Sequence, residues 1–262
     1  MPIEHLSPST VQSYRTCGKQ VYYSKILGVE NPTKYAMTSY GSAMHRAIEE
    51  LYKNKKECTK EKYINCFRNE WNFFSKNVTQ WKNDSYEYLL DQGVKACEDF
   101  FDNVYGKYDV DFIEQEFNID RGEGSLPILC YSDAVTKNGE IIDYKFGRGL
   151  SGTADSKSYA CNMATYAWAY QQKFNKMPTK IIFIKQKWKK YKDQETGKYM
   201  FKHDGFVIDE QDVKEEEIEF YKNVYENVEV GIQAGVWLPA PDDSFLCASC
   251  GYRTMGLCQK KG

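Results

Sequence analysis

Apolar positions return along this chain in two rhythms. Over 7–26, 41–52, 58–77 and 87–105 they recur every three or four residues, the period of a helix with one buried stripe. Ser7 is placed to cap the first of these helices, and Pro8 suits its first turn. In the second, Ala43, Met44, Ala47, Ile48 and Leu51 form the stripe. The third and fourth carry Trp71, Phe73, Phe74, Tyr88, Leu89, Phe100 and Phe101, which predicts a helical wall. Short apolar-rich runs follow near 111–119, 127–136 and 140–146 and predict strands. Helical spacing returns over 157–174, through Tyr159, Met163, Tyr166, Ala167, Tyr170 and Phe174. A strand near 179–187, a hairpin arm near 199–208 and a long helix over 209–233 complete the pattern. This order predicts an α/β fold with a central mixed β-sheet flanked by helices. We expect one domain over residues 1–262: a mainly helical part (1–110), an α/β core (111–208) and a C-terminal helix with a cysteine-bearing tail (209–262).

The second and third strands carry the candidate chemistry. Lys137-Asn138-Gly139 lies between them and signals a hairpin turn. A two-residue loop would pair Asp133 with Tyr144 and send Asp133 and Asp143 to opposite faces. A three-residue loop with a left-handed Gly139 pairs Asp133 with Asp143 instead. Cβ atoms so paired stand about 5 Å apart. Lys145 is two residues beyond Asp143 and shares its face. Facing carboxylates repel unless a cation lies between them, and hard oxygen donors suit Mg²⁺ or Mn²⁺. Taken alone, Asp-x-Lys is also an ordinary surface hairpin.

Composition changes the picture in two places. Nine cysteines with no leader pattern fit a reducing compartment, so we expect an intracellular, cytoplasmic protein. Five of them sit in helix or strand patterns, but Cys247-x2-Cys250-x7-Cys258 has metal-site spacing, and Cys17 is the best fourth ligand. Spacing alone leaves zinc and iron–sulfur both open. The net charge of −2 excludes a globally basic nucleic-acid coat protein, so any nucleic-acid channel must be local. The run Lys185–Lys192 interleaves lysines with Trp188 and Tyr191, which suits phosphate contact with stacking, or equally a solvated edge strand. Lys145, Arg148 and Lys157 add positive charge nearby. His45 lies at the margin of its helix's apolar stripe, where a packed core-edge histidine is as natural as a ligand. No apolar run is long enough to span a membrane.

Taken in order, these residues resemble the PD-(D/E)XK nuclease superfamily, in its RecB-like and AddB-like branch, which includes CRISPR-associated exonucleases with a four-cysteine iron–sulfur cluster. The resemblance covers nearly the whole chain. It implies a restriction-endonuclease-like core with an iron–sulfur clasp joining the termini. Asp133 matches the first acid, Asp143-Tyr144-Lys145 the (D/E)XK box, and Gly41–His45 the metal-binding histidine motif. Glu116 matches a strand-borne glutamate, and Asn162-x3-Tyr166 a downstream DNA-contact motif that usually begins with Gln. Cys130 stands where the family often has Gly, and the last cysteine spacing is longer than usual.

The resemblance implies a Mg²⁺- or Mn²⁺-dependent DNA nuclease, an exonuclease on single strands or ends. Expected metal ligands are His45, Asp133, Asp143 and the Tyr144 carbonyl; Lys145 is the catalytic lysine and Glu116 assists. A [4Fe–4S] cluster is expected on Cys17, Cys247, Cys250 and Cys258, with zinc as the alternative. DNA contacts are expected from Asn162, Tyr166, Lys187 and Trp188. A helicase or CRISPR-adaptation partner is compatible with the resemblance. The competing readings are a catalytically silent DNA-binding or docking subunit, which an intact Asp133/Asp143/Lys145 set disfavours, and an endonuclease.

Overall fold

The computed structural model describes residues 3–55, 57–148, 159–241 and 244–258. Lys157 and the expected first residues of the 157–174 helix lie outside them. Four helices come first: α1 (Pro8–Val21), α2 (Ala36–Lys53), α3 (Lys60–Ser75) and α4 (Tyr86–Asn103). Strands β1 (Val110–Ile119), β2 (Ile128–Thr136) and β3 (Glu140–Lys145) follow, then α5 (Ala160–Phe174), β4 (Lys180–Lys192), β5 (Tyr199–Gln211) and α6 (Glu215–Gln233). Two short helices, α7 (Phe245–Ala248) and α8 (Gly251–Thr254), form the tail.

The local sequence accounts for the helix starts. The side chains of Ser7, Thr59 and Ser85 accept the backbone N–H of Thr10, Lys62 and Tyr88, which meets part of the unpaired first turn of α1, α3 and α4. The helix expected over 7–26 is broken in its second half. Cys17 has an extended backbone (φ −163°, ψ 95°) inside α1, and Tyr22–Ile26 form a π-helical turn.

The five strands run in the order β1-β2-β3-β4-β5. Only β3 and β4 are parallel, and α5 is the crossover between them; the other neighbours are antiparallel. One face of the sheet packs on α1, α5 and α6 through Phe117, Ile141, Phe183, Ala167 and Tyr225. The other packs on α2, α3 and α4 through Ala134, Ile142, Ile184, Met44, Phe67 and Phe100. Helices α3 and α4 approach so closely at Gly93 that a Cβ there would lie 2.0 Å from a Phe67 ring carbon. The result is a five-stranded mixed sheet flanked by helices, consistent with a restriction-endonuclease-like fold.

Two boundaries differ from the sequence expectation. Strand β4 runs to Lys192 rather than ending near 187, and β5 runs to Gln211, so α6 begins at Glu215 rather than 209. Tertiary contacts hold this longer hairpin. Tyr88 of α4 donates to the Phe201 carbonyl at 2.9 Å, and Gln92 accepts the His203 backbone N–H at 2.6 Å. Gln211 pairs with Ile181, which keeps the acidic 209–211 stretch in the sheet.

Candidate metal centre

The β2–β3 hairpin has the expected form. Ala134 stands opposite Ile142 and Val135 opposite Ile141, so Asp133 and Asp143 fall opposite each other. Gly139 closes the turn at φ 80°. Beyond this short ladder the Asp133 carboxylate enters between the strands: the Tyr144 N–H donates to its Oδ2 at 2.5 Å. Asp143 is 2% exposed. Its Oδ2 contacts Lys145 Nζ, and its Oδ1 accepts the Tyr166 hydroxyl at 3.2 Å. The Lys145 ammonium lies 5.0 Å from the centroid of the Tyr159 ring.

Helix α2 brings His45 to the same place. Its apolar stripe is buried as expected, and His45 projects from the stripe's margin with Nδ1 3.3 Å from Asp133 Oδ1. The edge of its ring meets Phe146, with centroids 5.1 Å apart. His45 arrives from the α2 layer and Tyr166 from α5 on the other face. The carboxylates therefore sit where both layers converge on one end of the sheet.

The glutamate at this centre is Glu114, not Glu116. Glu114 lies with His45 and Asp133 so that one ligand atom from each is within 4.8 Å of the others. Glu116 is exposed and accepts the Tyr131 hydroxyl at 2.7 Å. The correction has a backbone cause. In β1, Ile113 opposes Ala134 and Gln115 opposes Ser132, which puts Glu114 opposite Asp133. Glu114 is left-handed at φ 49°. Ile113 and Phe117, an even number of residues apart, pack on opposite faces of the sheet, which plain alternation forbids. A left-handed non-glycine residue costs of order 1–3 kcal/mol and persists where the surroundings impose it. The sequence signal was only the pair Glu114 and Glu116; the eight-residue connection to β2 left the register unset.

Electrostatics bind the group together. Burial pushes the Asp133 carboxyl up, but His45, Lys145 and the Tyr144 N–H outweigh it and hold it below the usual range. For Asp143, burial and the Asp133 charge outweigh Lys145, and the net shift is upward. Burial opposes the charges on His45 and Lys145, but the neighbouring aspartates raise both. Glu114 is pushed up to about 7 by burial and then by Asp133. Carboxylates this crowded, with a histidine and a lysine among them, have the chemistry of a cation site.

The remaining expected site residues separate. The Tyr144 side chain is buried against Phe100, with ring centroids 5.6 Å apart. Tyr166 is buried on Asp143 rather than presented to a ligand. Asn162, one helical turn earlier, donates to the Tyr166 oxygen at 3.5 Å and accepts from Gln12 at 3.1 Å. Trp188 is a packing residue: its indole N–H donates to the Phe146 carbonyl at 3.1 Å, and the Arg148 guanidinium lies over it at 4.8 Å. Arg148 in turn forms a two-pronged pair with Asp84, at 2.7 and 2.8 Å. Lys187 is exposed and 3.4 Å from Asp204.

A pair of tyrosines joins the two ends of the chain that carry the expected cluster cysteines. Tyr23 and Tyr252 have ring centroids 5.2 Å apart. Burial, then Cys258 and Cys17, raise the Tyr23 pKa, and Cys250 is among the groups acting on Tyr252. Tyr23 donates to the Leu257 carbonyl at 2.7 Å, and Tyr252 to the Val29 carbonyl at 3.1 Å. Cys247 lies in α7, three residues before Cys250. Among the described residues, three cysteine sulfurs do not come within 4.8 Å of one another.

The model of the PD-(D/E)XK nuclease superfamily matches residues 5–259. The fold is similar to that of a provisionally named exonuclease from Eubacterium rectale, with TM-score 0.56 at 12% identity over 99% of this chain and 90% of that one. It also aligns with LHK-Exo in complex with dAMP, at TM-score 0.34 and 9% identity over 78% of this chain and 90% of that one. No curated protein matches the sequence significantly.

Proposed function

The chain belongs to the PD-(D/E)XK nuclease superfamily, and from that premise we propose that it is a metal-dependent exonuclease acting on single-stranded DNA or DNA ends. One observation carries the reading: His45, Glu114 and Asp133 converge beside the buried Asp143–Lys145 pair. Hydrolysis of a phosphodiester needs charge neutralisation and a positioned cation more than covalent chemistry, and this cluster has the residues for both.

The donor set, one imidazole with crowded carboxylates, fits Mg²⁺ or Mn²⁺. His45, Asp133 and Glu114, whose ligand atoms lie together, would hold it, and Asp143 and the Tyr144 carbonyl would complete the set. A divalent ion bound there supplies Lewis acidity toward the phosphodiester. Lys145 has a different task. Held as a cation by Asp143 and Asp133, it faces the charge that grows on the phosphoryl oxygens in the transition state. Tyr166 keeps Asp143 oriented. Lys187 remains a candidate contact for the DNA backbone.

The four cysteines are assigned to a [4Fe–4S] cluster that ties α1 to the tail. Two hydrogen bonds between the chain ends support that assignment: Tyr23 donates to the carbonyl of Leu257, the neighbour of Cys258, and Tyr252, two residues after Cys250, donates to the Val29 carbonyl. A cluster there would be structural, because a ligand set drawn from both ends of the chain exists only in the folded state.

The test is cleavage of end-labelled single- and double-stranded DNA by anaerobically purified protein, with Mg²⁺, Mn²⁺ or EDTA. The reading expects metal-dependent shortening from an end that EDTA abolishes. Cleavage of covalently closed single-stranded circles would replace the exonuclease assignment with an endonuclease.

A further inference from the structure

Asp143 is held from two sides, and only one of them is part of the (D/E)XK box. Lys145 contacts Oδ2. Oδ1 is served by a chain of side chains that begins on α1. Gln12 Nε2 donates to Asn162 Oδ1 at 3.1 Å, Asn162 Nδ2 donates to the Tyr166 oxygen at 3.5 Å, and Tyr166 donates to Asp143 Oδ1 at 3.2 Å. Every bond points the same way, toward the carboxylate.

That direction is not automatic. A primary amide has a donor end and an acceptor end, and the neighbours decide which faces which. With Gln12 donating, the Asn162 carbonyl is occupied and its N–H group is left for the Tyr166 oxygen. Tyr166 then has one hydrogen to give and Asp143 to receive it. Were the amide of Asn162 reversed, its carbonyl would face Tyr166 and compete for that hydrogen. We propose that Gln12 and Asn162 are positioning residues that set the polarity of this chain, so that Tyr166 donates to Asp143 and fixes its carboxylate for the metal. The inference rests on the nuclease reading for its activity arm alone.

The structural setting suits the task. Tyr166 is buried, and its one hydroxyl hydrogen is directed at Asp143 Oδ1, 3.2 Å away. Gln12 sits on a helix that is itself anchored. Tyr14 donates to the Val236 carbonyl at 2.5 Å, and the Lys19 N–H to the Leu238 carbonyl at 3.3 Å. A wobble of α1 would otherwise reach Asp143 through three bonds.

Gln12→Glu is the decisive variant. It is nearly isosteric, but a carboxylate can only accept. Asn162 must then turn its N–H group to residue 12 and its carbonyl to Tyr166, and the hydroxyl is drawn off Asp143. Asn162→Asp removes the donor to Tyr166 by a different route and serves as the second variant. Each is measured alone and in a Tyr166→Phe background, by Mn²⁺ calorimetry and by steady-state cleavage. We expect Gln12→Glu and Asn162→Asp to weaken Mn²⁺ binding and lower kcat by about tenfold or more, with KM for DNA unchanged. In the Tyr166→Phe background, where the chain is already cut, neither should add more than about twofold.

A pure packing role would be insensitive to the isosteric Gln12→Glu change. Parent-like Mn²⁺ affinity in both variants overturns the proposal, as does a full loss that persists in the Tyr166→Phe background. If the parent protein fails to cleave DNA, the nuclease reading falls, and the Mn²⁺ arm still decides the relay.

Discussion

Glu114 lies opposite Asp133 across the β1–β2 ladder, with its own backbone in the left-handed region at φ 49°. A strand residue holds that conformation only against a steric penalty. Here the twist brings a carboxylate to His45 and Asp133, and it also reverses which residues of β1 face which layer.

Stability and function are therefore opposed at this position. Glu114→Gly should be more stable than Glu114→Ala by about 1 kcal/mol, because glycine accepts positive φ without a Cβ clash. Both should lose metal-dependent cleavage by about a hundredfold or more. Glu116→Gln should stay within about twofold of the parent in rate, since an exposed substitution away from the centre is near neutral. Chemical denaturation and cleavage assays on the same preparations decide this. Equal losses at 114 and 116 would remove Glu114 from the centre.

Lys145→Ala should separate binding from chemistry. Mn²⁺ affinity should persist, because the ligands remain. The turnover number should fall with little change in KM, as expected for a charge that acts chiefly in the transition state. Near-parent turnover in this variant would exclude the assigned role.

The cysteine assignment has an optical readout. Anaerobically purified protein should be brown, with broad absorbance near about 400 nm from iron–sulfur charge transfer. Cys250→Ser should bleach it and lower the thermal midpoint, since the tie between α1 and the tail is lost. Asp143→Ala should leave the colour untouched. One zinc and no iron per chain by elemental analysis would refute the cluster without touching the nuclease reading.

A pH effect should also arise outside the metal-ligand cluster, at His203. Its Nε2 lies 3.1 Å from Asp99, and its Nδ1 3.1 Å from the Gln186 amide nitrogen. Tyr40 donates to the Gln186 Oε1 at 3.1 Å and so holds that amide with its N–H group toward the imidazole. The neutral ring with its proton on Nε2 satisfies both partners; a second proton on Nδ1 would face a donor. Burial lowers the His203 pKa more than Asp99 raises it. The unfolded chain, with an ordinary value of about 6.5, then takes up the proton first as pH falls. His203 thus contributes stability that is present above that value and is lost as pH falls through the lower folded one. His203→Gln should flatten this acid-side loss in urea melts between about pH 7 and 5. An unchanged slope would show that another group carries it.

The hairpin chemistry was legible because it is local. Once Lys137-Asn138-Gly139 is read as a three-residue turn, pairing and alternation put Asp133, Asp143 and Lys145 together without any knowledge of the rest of the chain. The same holds for the buried stripe of α2 and for the Ser7 cap of α1, which are set by residues within a turn of one another. Tertiary structure alone decided the rest. The choice of Glu114 over Glu116 depends on a β1–β2 register that an eight-residue connection cannot set, and on a backbone twist imposed by two packed layers. Trp188 and Tyr191 read in sequence equally as a stacking surface or as part of a solvated edge strand, but α4 covers that side of the β4–β5 hairpin: Tyr88 bonds to Phe201 and approaches Tyr191, and Gln92 holds His203. Asp143 also receives its second support from α1, more than a hundred residues away, through Gln12 and Asn162. Local pattern can nominate a carboxylate. Which face it meets and what orients it follow from contacts between distant segments, whose energy appears only when the whole core has formed.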